Sequence, residues 1–347
     1  AVDLLAERLT DAGVQVVRLG HPARVADAVQ ARTLDALLET SEAWRRAKGW
    51  RTEALAAQRR LDARKARGRF DRAEARALRE EMGRLFKDAR VHLKAAREAV
   101  LDQASVVCAT VAGADASVLG GRTFDRVVLD EATQAPDPLA LVALGRGRRL
   151  VLAGDPCQLP PTILDPAAER AGLGKTLFER LAEQAATDGH TILEMLTVQH
   201  RMPLALQAFP SASMYGGRLE AAPGNAHQTL ADLPGVAEDP LRPGPLVLLD
   251  TAGKGFDERR SDDDPSTDNP GQAERTVAEV RRLLGRGVAP ADLGVITPYR
   301  AQVLALREAL ADAVSAGLEV DSVDGFQGRE REAIVVDLVR SNPDGVL

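Results

Sequence analysis

The chain has 347 residues, 45% of them hydrophobic and 28% charged, and a net charge of −6. That length suits two ordinary domains, while no apolar run could span a bilayer and no signal-peptide pattern opens the sequence. Cys108 and Cys157 stand far apart without a CxxC or Cys/His cluster, which excludes a disulfide framework or zinc site and points to a reducing cytosol.

In chain order, short apolar runs alternate with helical segments: VQVVRLG, ASVVCAT, FDRVVLD, RRLVLAG, then GPLVLLD, DLGVITP and EAIVVDLV. Their apolar residues fall on consecutive positions, the pattern of strands buried on both faces of a parallel sheet. Alternation with helices predicts an α/β architecture. A basic stretch interrupts it. From Arg45 to Glu98 there are 18 Lys/Arg against 8 Asp/Glu, a local +10 that leaves −16 on the remainder of the chain. Leu78, Met82, Leu85, Ala89, Leu93 and Ala96 keep helical spacing there, and Gly68 offers a break between two arms. Residues 29–101 therefore read as a helical hairpin inserted between two strands. It is the part of this acidic chain suited to contact a polyanion.

Further on, the polar run GKGFDERRSDDDPSTDNPGQ (253–272) predicts a mobile loop. Its end carries Asn269, Pro270 and Gln272 at the N-cap, first and third positions of a helix, with Val277, Val280 and Leu284 on one face.

VVLDEATQA (127–135) delivers Asp130 and Glu131 at the end of an apolar strand. This is the Walker B arrangement, in which the first acid serves a magnesium ion and the second positions the attacking water. Alone, it also fits a strand ending in two solvated acids. Four later segments narrow the choice: GDPCQLPP (154–161), LTVQHRM (196–202), LGVITPYRAQ (293–302) and VDSVDGFQGREREAIVV (320–336).

In this order the five segments resemble motifs II, III, IV, IVa and V of superfamily 1 helicases, in the branch that includes the nonsense-mediated-decay and immunoglobulin mu-binding helicases. The opening AVDLLAERL…VVRLGHPARV is similar to the stretch after motif Ia there. The resemblance implies two RecA-like P-loop NTPase domains, residues 1–188 and 189–347, the first interrupted by the helical hairpin. It implies a monomeric motor that binds ATP and Mg²⁺ in the cleft between the domains and moves 5′ to 3′ along single-stranded DNA or RNA, with no membrane partner. Carried over by residue, Asp130 serves Mg²⁺ and Glu131 activates water. Gln158 senses the γ-phosphate, and Arg201 reaches it as an arginine finger. His200 stands near the adenine, and Gly328 and Glu330 line the nucleotide side. Thr110, Pro298, Tyr299 and Ser322 grip the nucleic-acid backbone, although Thr110 and Tyr299 also suit strand capping or packing.

The phosphate-cradling loop GxxxxGK[ST] is expected upstream of Ala1 and motif VI downstream of Leu347. GLGKT, with Gly174, Lys175 and Thr176, is a helix start rather than that loop. Position 169 is Glu, no strand precedes it, and it comes after GDPCQLPP instead of preceding the Walker B strand. Two rival readings are a decayed, non-catalytic helicase that clamps nucleic acid and a chromosome-structure type ATPase with a coiled-coil arm. The second lacks an LSGGQ-like signature before the Walker B strand.

Overall fold

The computed structural model describes the chain except residues 1, 22, 24, 67–71, 190–191, 261–265 and 342–347. Residues 1–188 and 189–347 form two compact units.

In the first unit, α1 (Val2–Asp11) leads into β1 (Val16–Leu19), which pairs in parallel with β2 (Val106–Ala109). Every residue of β1 is buried: Val16, Val17 and Leu19 among apolar neighbours, and Arg18 with its guanidinium paired to Asp3 of α1 at 2.7 Å. Between these strands run α2 (Leu34–Thr40), α3 (Glu42–Ala66) and α4 (Arg72–Gln103). The seam between the two long helices is lined by alanine: Ala47, Ala54 and Ala57 on α3 and Ala75, Ala89 and Ala96 on α4 are buried. Small side chains at this spacing let two helices approach closely while their long cationic side chains stay in water. The pair is anchored where Ala96 and Leu101 join Val17, Leu19, Leu34 and Leu38 in one core. The glycine break at 68 lies outside the described residues.

After the short α5 (Ala116–Leu119) comes a second parallel pair, β3 (Phe124–Leu129) and β4 (Gly147–Leu152), joined by α6 (Asp137–Leu144). Here the expectation of burial on both faces fails. Leu129 is buried against Ala132, Ala140 and Leu144, but Val128 is 66% and Val151 50% exposed. A two-stranded sheet has one face against its crossover helix, and among the described residues nothing covers the other. The unit closes with α7 (Pro166–Arg170) and α8 (Leu177–Asp188).

The second unit opens with β5 (Val198–Gln199), α9 (Leu204–Met214) and β6 (Glu220–Ala221), the two strands parallel. GPLVLLD does not form a strand: residues 246–250 have no regular structure, and Leu246 and Leu248 are exposed. An apolar run without a pairing neighbour cannot satisfy its backbone as a strand. The polar run after it is partly ordered, since β7 (Arg259–Arg260) pairs antiparallel with β8 (Thr267–Asp268), and Arg259 forks onto the Asp268 carboxylate.

The main sheet of this unit is wholly parallel, in the order β10 (Glu319–Asp321), β9 (Leu293–Ile296), β11 (Ala333–Val336). It packs on α10 (Pro270–Gly285) and α11 (Arg300–Ala309), with α12 (Ala311–Ser315) and α13 (Val323–Phe326) completing the connections. Val280, Leu293, Val295, Leu306, Leu310 and Val320 form its core. Asn269 caps α10 as its sequence predicts: its side chain accepts from Gln272 N at 3.0 Å, and Val277, Val280 and Leu284 face the core.

That cap does more than the sequence shows. The fully buried Asn269 also donates through Nδ2 to Phe256 O at 2.9 Å and Val339 O at 3.0 Å, while its N–H donates to Gln302 Oε1 at 2.9 Å. Asn269→Ala should cost on the order of 2 kcal/mol, because a cap is lost and the Phe256 and Val339 carbonyls each lose one of their two donors. Chemical denaturation monitored in the second unit checks this. A loss below about 1 kcal/mol would show that water replaces the amide.

Candidate nucleotide site

β3 and β4 run in register from Phe124 opposite Gly147 to Leu129 opposite Leu152. Two further hydrogen bonds extend the pairing: Ala153 N donates to Leu129 O at 2.9 Å, and Ala132 N donates to Ala153 O at 2.8 Å. The chain then comes too close for a side chain. A Cβ on Gly154 would lie 3.0 Å from Thr133 N and 3.2 Å from Ala132 N. The sequence Leu-Asp-Glu-Ala after one strand and Ala-Gly-Asp after the other thus gathers Asp130, Glu131 and Asp155 at the carboxyl ends of neighbouring parallel strands, where ligands of open α/β sheets collect.

Glu131 sits in the left-handed region, with φ 53° and ψ 42°, uncommon for a residue with a side chain. Gln134 Nε2 donates to Glu131 Oε2 at 2.9 Å and fixes the orientation. Burial, followed by the charges of Asp130 and Asp155, holds the Glu131 carboxyl above the usual range, which strengthens it as a proton acceptor. Asp130 is exposed. Gln158 is exposed too, and its Nε2 donates to Asp155 Oδ2 at 2.8 Å, while Asp155 Oδ1 accepts from Cys157 N at 3.0 Å. Thr133 is buried with its hydroxyl unpartnered.

In the second unit, Gln199 shapes the turn after β5. Its Oε1 accepts from Arg201 N at 2.8 Å and Met202 N at 2.7 Å, and its Nε2 donates to Met202 O and Gln207 Oε1. The turn presents His200 and Arg201 to solvent, and Arg201 Nε reaches Glu330 Oε2 at 2.9 Å across 129 residues of sequence. Gly328, with φ 73°, ends α13 in the left-handed conformation that glycine adopts without strain.

Pro298 and Tyr299 follow β9, Ser322 follows β10, and Val339 and Arg340 follow β11, all beyond the carboxyl ends of adjacent strands. Ser322 caps α13 by accepting from Gly325 N at 3.1 Å. The half-buried Tyr299 accepts from Arg340 Nη1 at 3.1 Å, and Arg340 also pairs with Glu258 at 3.0 Å. In the first unit, Thr110 Oγ1 accepts from Gly113 N at 3.2 Å, a local turn.

Sequence reasoning passed over Asp155, Gln134, Gln199 and Arg340. Asp155, Gln134 and Gln199 lie inside the quoted motifs and were open to it. Arg340 acts through contacts with Glu258 and Tyr299, 82 and 41 residues away, that only folding creates.

GLGKT is a helix start. Thr176 Oγ1 accepts from Glu179 N at 3.3 Å, while Glu179 Oε2 accepts from Thr176 N at 2.8 Å, a reciprocal capping box at the head of α8. Lys175 pairs with Glu183 at 2.6 Å on the surface.

Residues 1–166 match one AAA domain family and residues 173–347 a second. The chain is 39% identical over 353 residues to DNA-binding protein SMUBP-2 of Rattus norvegicus, covering 99% of this chain and 34% of that protein. It is 33% identical over 349 residues to DNA polymerase alpha-associated DNA helicase A of Schizosaccharomyces pombe, at 99% and 50% coverage. Against the Regulator of nonsense transcripts 1 homolog of Arabidopsis thaliana it is 34% identical over 360 residues, at 99% and 26%. The chain thus spans between about a quarter and a half of these relatives' length. Such matches define an α/β protein with the P-loop nucleotide-hydrolase fold. Within that class, the chain belongs to the superfamily 1 helicases, in the UPF1-like family.

The left-handed turn predicts a stability difference. Glu131→Gly should be more stable than Glu131→Ala by about 1 kcal/mol, since only the alanine carries the left-handed penalty. Urea titration of the two variants measures it, and equal midpoints would show that the turn relaxes. The GLGKT segment predicts a second: Thr176→Ala should lower stability by about 1 kcal/mol, whereas Lys175→Ala should leave nucleotide affinity within about twofold. A large loss of affinity in the lysine variant would return that segment to the phosphate site.

Proposed function

We propose that this chain is the core of an ATP-driven helicase that couples ATP hydrolysis to movement along single-stranded nucleic acid, 5′ to 3′. The two compact units are read as RecA-like domains, residues 1–188 and 189–347, with the α3–α4 pair as an insertion in the first. The single observation that carries this reading is the convergence of Asp130, Glu131, Asp155 and Gln158 at the ends of β3 and β4, with Glu131 locked in a left-handed turn.

The residues suit ATP with Mg²⁺. Among the described residues no group of three or more His, Cys, Asp or Glu is assembled into a metal cage. Mg²⁺ at phosphate-transfer sites needs none: one or two carboxylates, water and the substrate's own phosphates complete its shell. Exposed Asp130 is the carboxylate for that role. When bound, the ion neutralises charge on the phosphates.

Glu131 then acts as the base that orients and deprotonates water, with Gln134 aiming the carboxylate and burial strengthening its grip on the proton. Gln158, steadied by Asp155, senses the γ-phosphate. Arg201 supplies positive charge to the transferring group through its terminal nitrogens, its Nε being engaged by Glu330. His200 and Gly328 line the nucleotide. Pro298, Tyr299, Ser322 and Thr110 hold the nucleic-acid backbone, and the arrangement of the first three at adjacent strand ends supports one continuous grip. Arg340 positions the Tyr299 ring through its hydroxyl. Backbone contacts of this kind read no sequence.

In the intact protein, Glu131→Gln should keep ATP affinity while kcat falls about a hundredfold or more, the scale of losing a general base. Arg201→Ala should likewise act on kcat. Steady-state hydrolysis with nucleotide binding measured separately checks both. A kcat within about twofold of wild type, with only KM changed, would remove the assigned role.

A further inference from the structure

Helix α4 carries its cations in a line. Arg76, Arg79, Lys87, Arg90, Lys94 and Arg97 recur at spacings of three and four, with Gly83 filling the one missed step, and all six are exposed. At 3.6 residues per turn they fall within an arc of roughly 80°, and the row runs about 30 Å at 1.5 Å per residue. The buried alanines of the seam, Ala75, Ala89 and Ala96, take a neighbouring arc, and Glu74, Glu81 and Asp88 a third. Random solvation of a helix would mix the signs around its outer surface; here no acid falls within the cationic arc, although Glu80 and Glu98 border it and Arg84 stands on the acidic side. Arg79, Lys87, Arg90 and Lys94 make no ion pair among the described residues, and the one pair in the row, Arg76 with Glu80, is exposed on both sides. On α3 the cations are spread around the helix instead.

We infer that this row is a track for the phosphates of a single strand. Cations at successive helical turns along one face, with one gap at Gly83, present a ladder of charges on a rigid helix. A duplex cannot match it, because each of its phosphate rows winds around the axis once in about 34–36 Å and leaves a straight rod of this length after a short contact. A single strand bends to follow. Each contact releases counterions without reading sequence. The alanine seam serves the same end, because it joins α3 and α4 without using the cationic flank. The track rests on the helicase reading for its purpose but not for its detection, since binding is measured without nucleotide.

The test compares three sets of substitutions in the intact protein. Arg79, Lys87, Arg90 and Lys94 are changed together to Gln. Lys48, Arg51, Arg59 and Arg60 on α3 are changed to Gln as a control of equal charge. The α4 arginines Arg79 and Arg90 are changed to Lys as a set that keeps the charge. Fluorescence anisotropy with a single-stranded oligonucleotide is read from about 50 to 200 mM salt, and circular dichroism establishes that each variant is helical. At about 0.7 per phosphate for a single strand, loss of four contacts flattens the log–log slope by about 3. Wild-type affinity then falls roughly fifty-fold more than the α4 glutamine set's over that salt range. The α3 set should flatten it by less than half as much, and the lysine set should match wild type. Equal flattening by the α3 and α4 sets overturns the track in favour of diffuse charge. An unchanged slope in the α4 set overturns it in favour of a surface for an acidic protein. An equal loss on a duplex overturns the choice of a single strand. Unstimulated ATP hydrolysis is followed in parallel: its absence from every variant and from wild type counts against the helicase reading and leaves the binding result to judge the track.

Discussion

The candidate site depends on how β3 and β4 end. Their side-by-side register brings Leu129 opposite Leu152, and the exchange of hydrogen bonds among Leu129, Ala132 and Ala153 carries the pairing one step past the strands. A slip of one residue would turn every side chain to the opposite face and would part Asp130 and Glu131 from Asp155. Gly154 permits the closeness, since a methyl group there would press on the backbone nitrogens of Ala132 and Thr133. The strained turn at Glu131, its raised proton affinity and the aim given by Gln134 all stem from that junction.

The second unit solves a similar problem with a buried polar network. Asp337, raised in pKa by burial, accepts from Gln302 Nε2 at 2.6 Å, Thr276 Oγ1 at 3.1 Å and Val339 N at 3.1 Å. Gln302 in turn meets Asn269 on both backbone atoms. Every member is satisfied, which is the condition under which buried polar groups make a core specific instead of weakening it. The network holds Val339 in a left-handed conformation, rare for a β-branched residue. Val339 in turn delivers Arg340 to Tyr299 and Glu258. The glutamine in LGVITPYRAQ is therefore structural, although it stands among residues that the family resemblance ties to nucleic acid.

The α3–α4 pair shows how one helix divides its circumference. Alanine at the seam contributes little apolar area per residue, so the pair gains stability from close backbone approach and length more than from large side chains. That economy leaves the remaining surface of α4 free to be sorted by charge. A seam of leucines would hold the helices further apart and claim a wider arc.

Much of this was legible in the sequence, because local patterns report local physics. Consecutive apolar residues marked β1, β3, β4, β9 and β11, and Asn-Pro-x-Gln marked the start of α10. The absent leading strand, the missing glycine and the order in the chain marked GLGKT as a helix cap. Local pattern misled at GPLVLLD, whose apolar run has no pairing partner, and at β3 and β4, whose sequence reads as buried while Val128 and Val151 stand in solvent. Strand burial is a property of what lies across the sheet, which no single run encodes. The acids of VVLDEATQA were visible in the sequence, yet the conformation of Glu131, the company of Asp155 and the pairing of Arg201 with Glu330 were not. Those rest on contacts between segments far apart in the chain, and only the tertiary structure decides which segments meet.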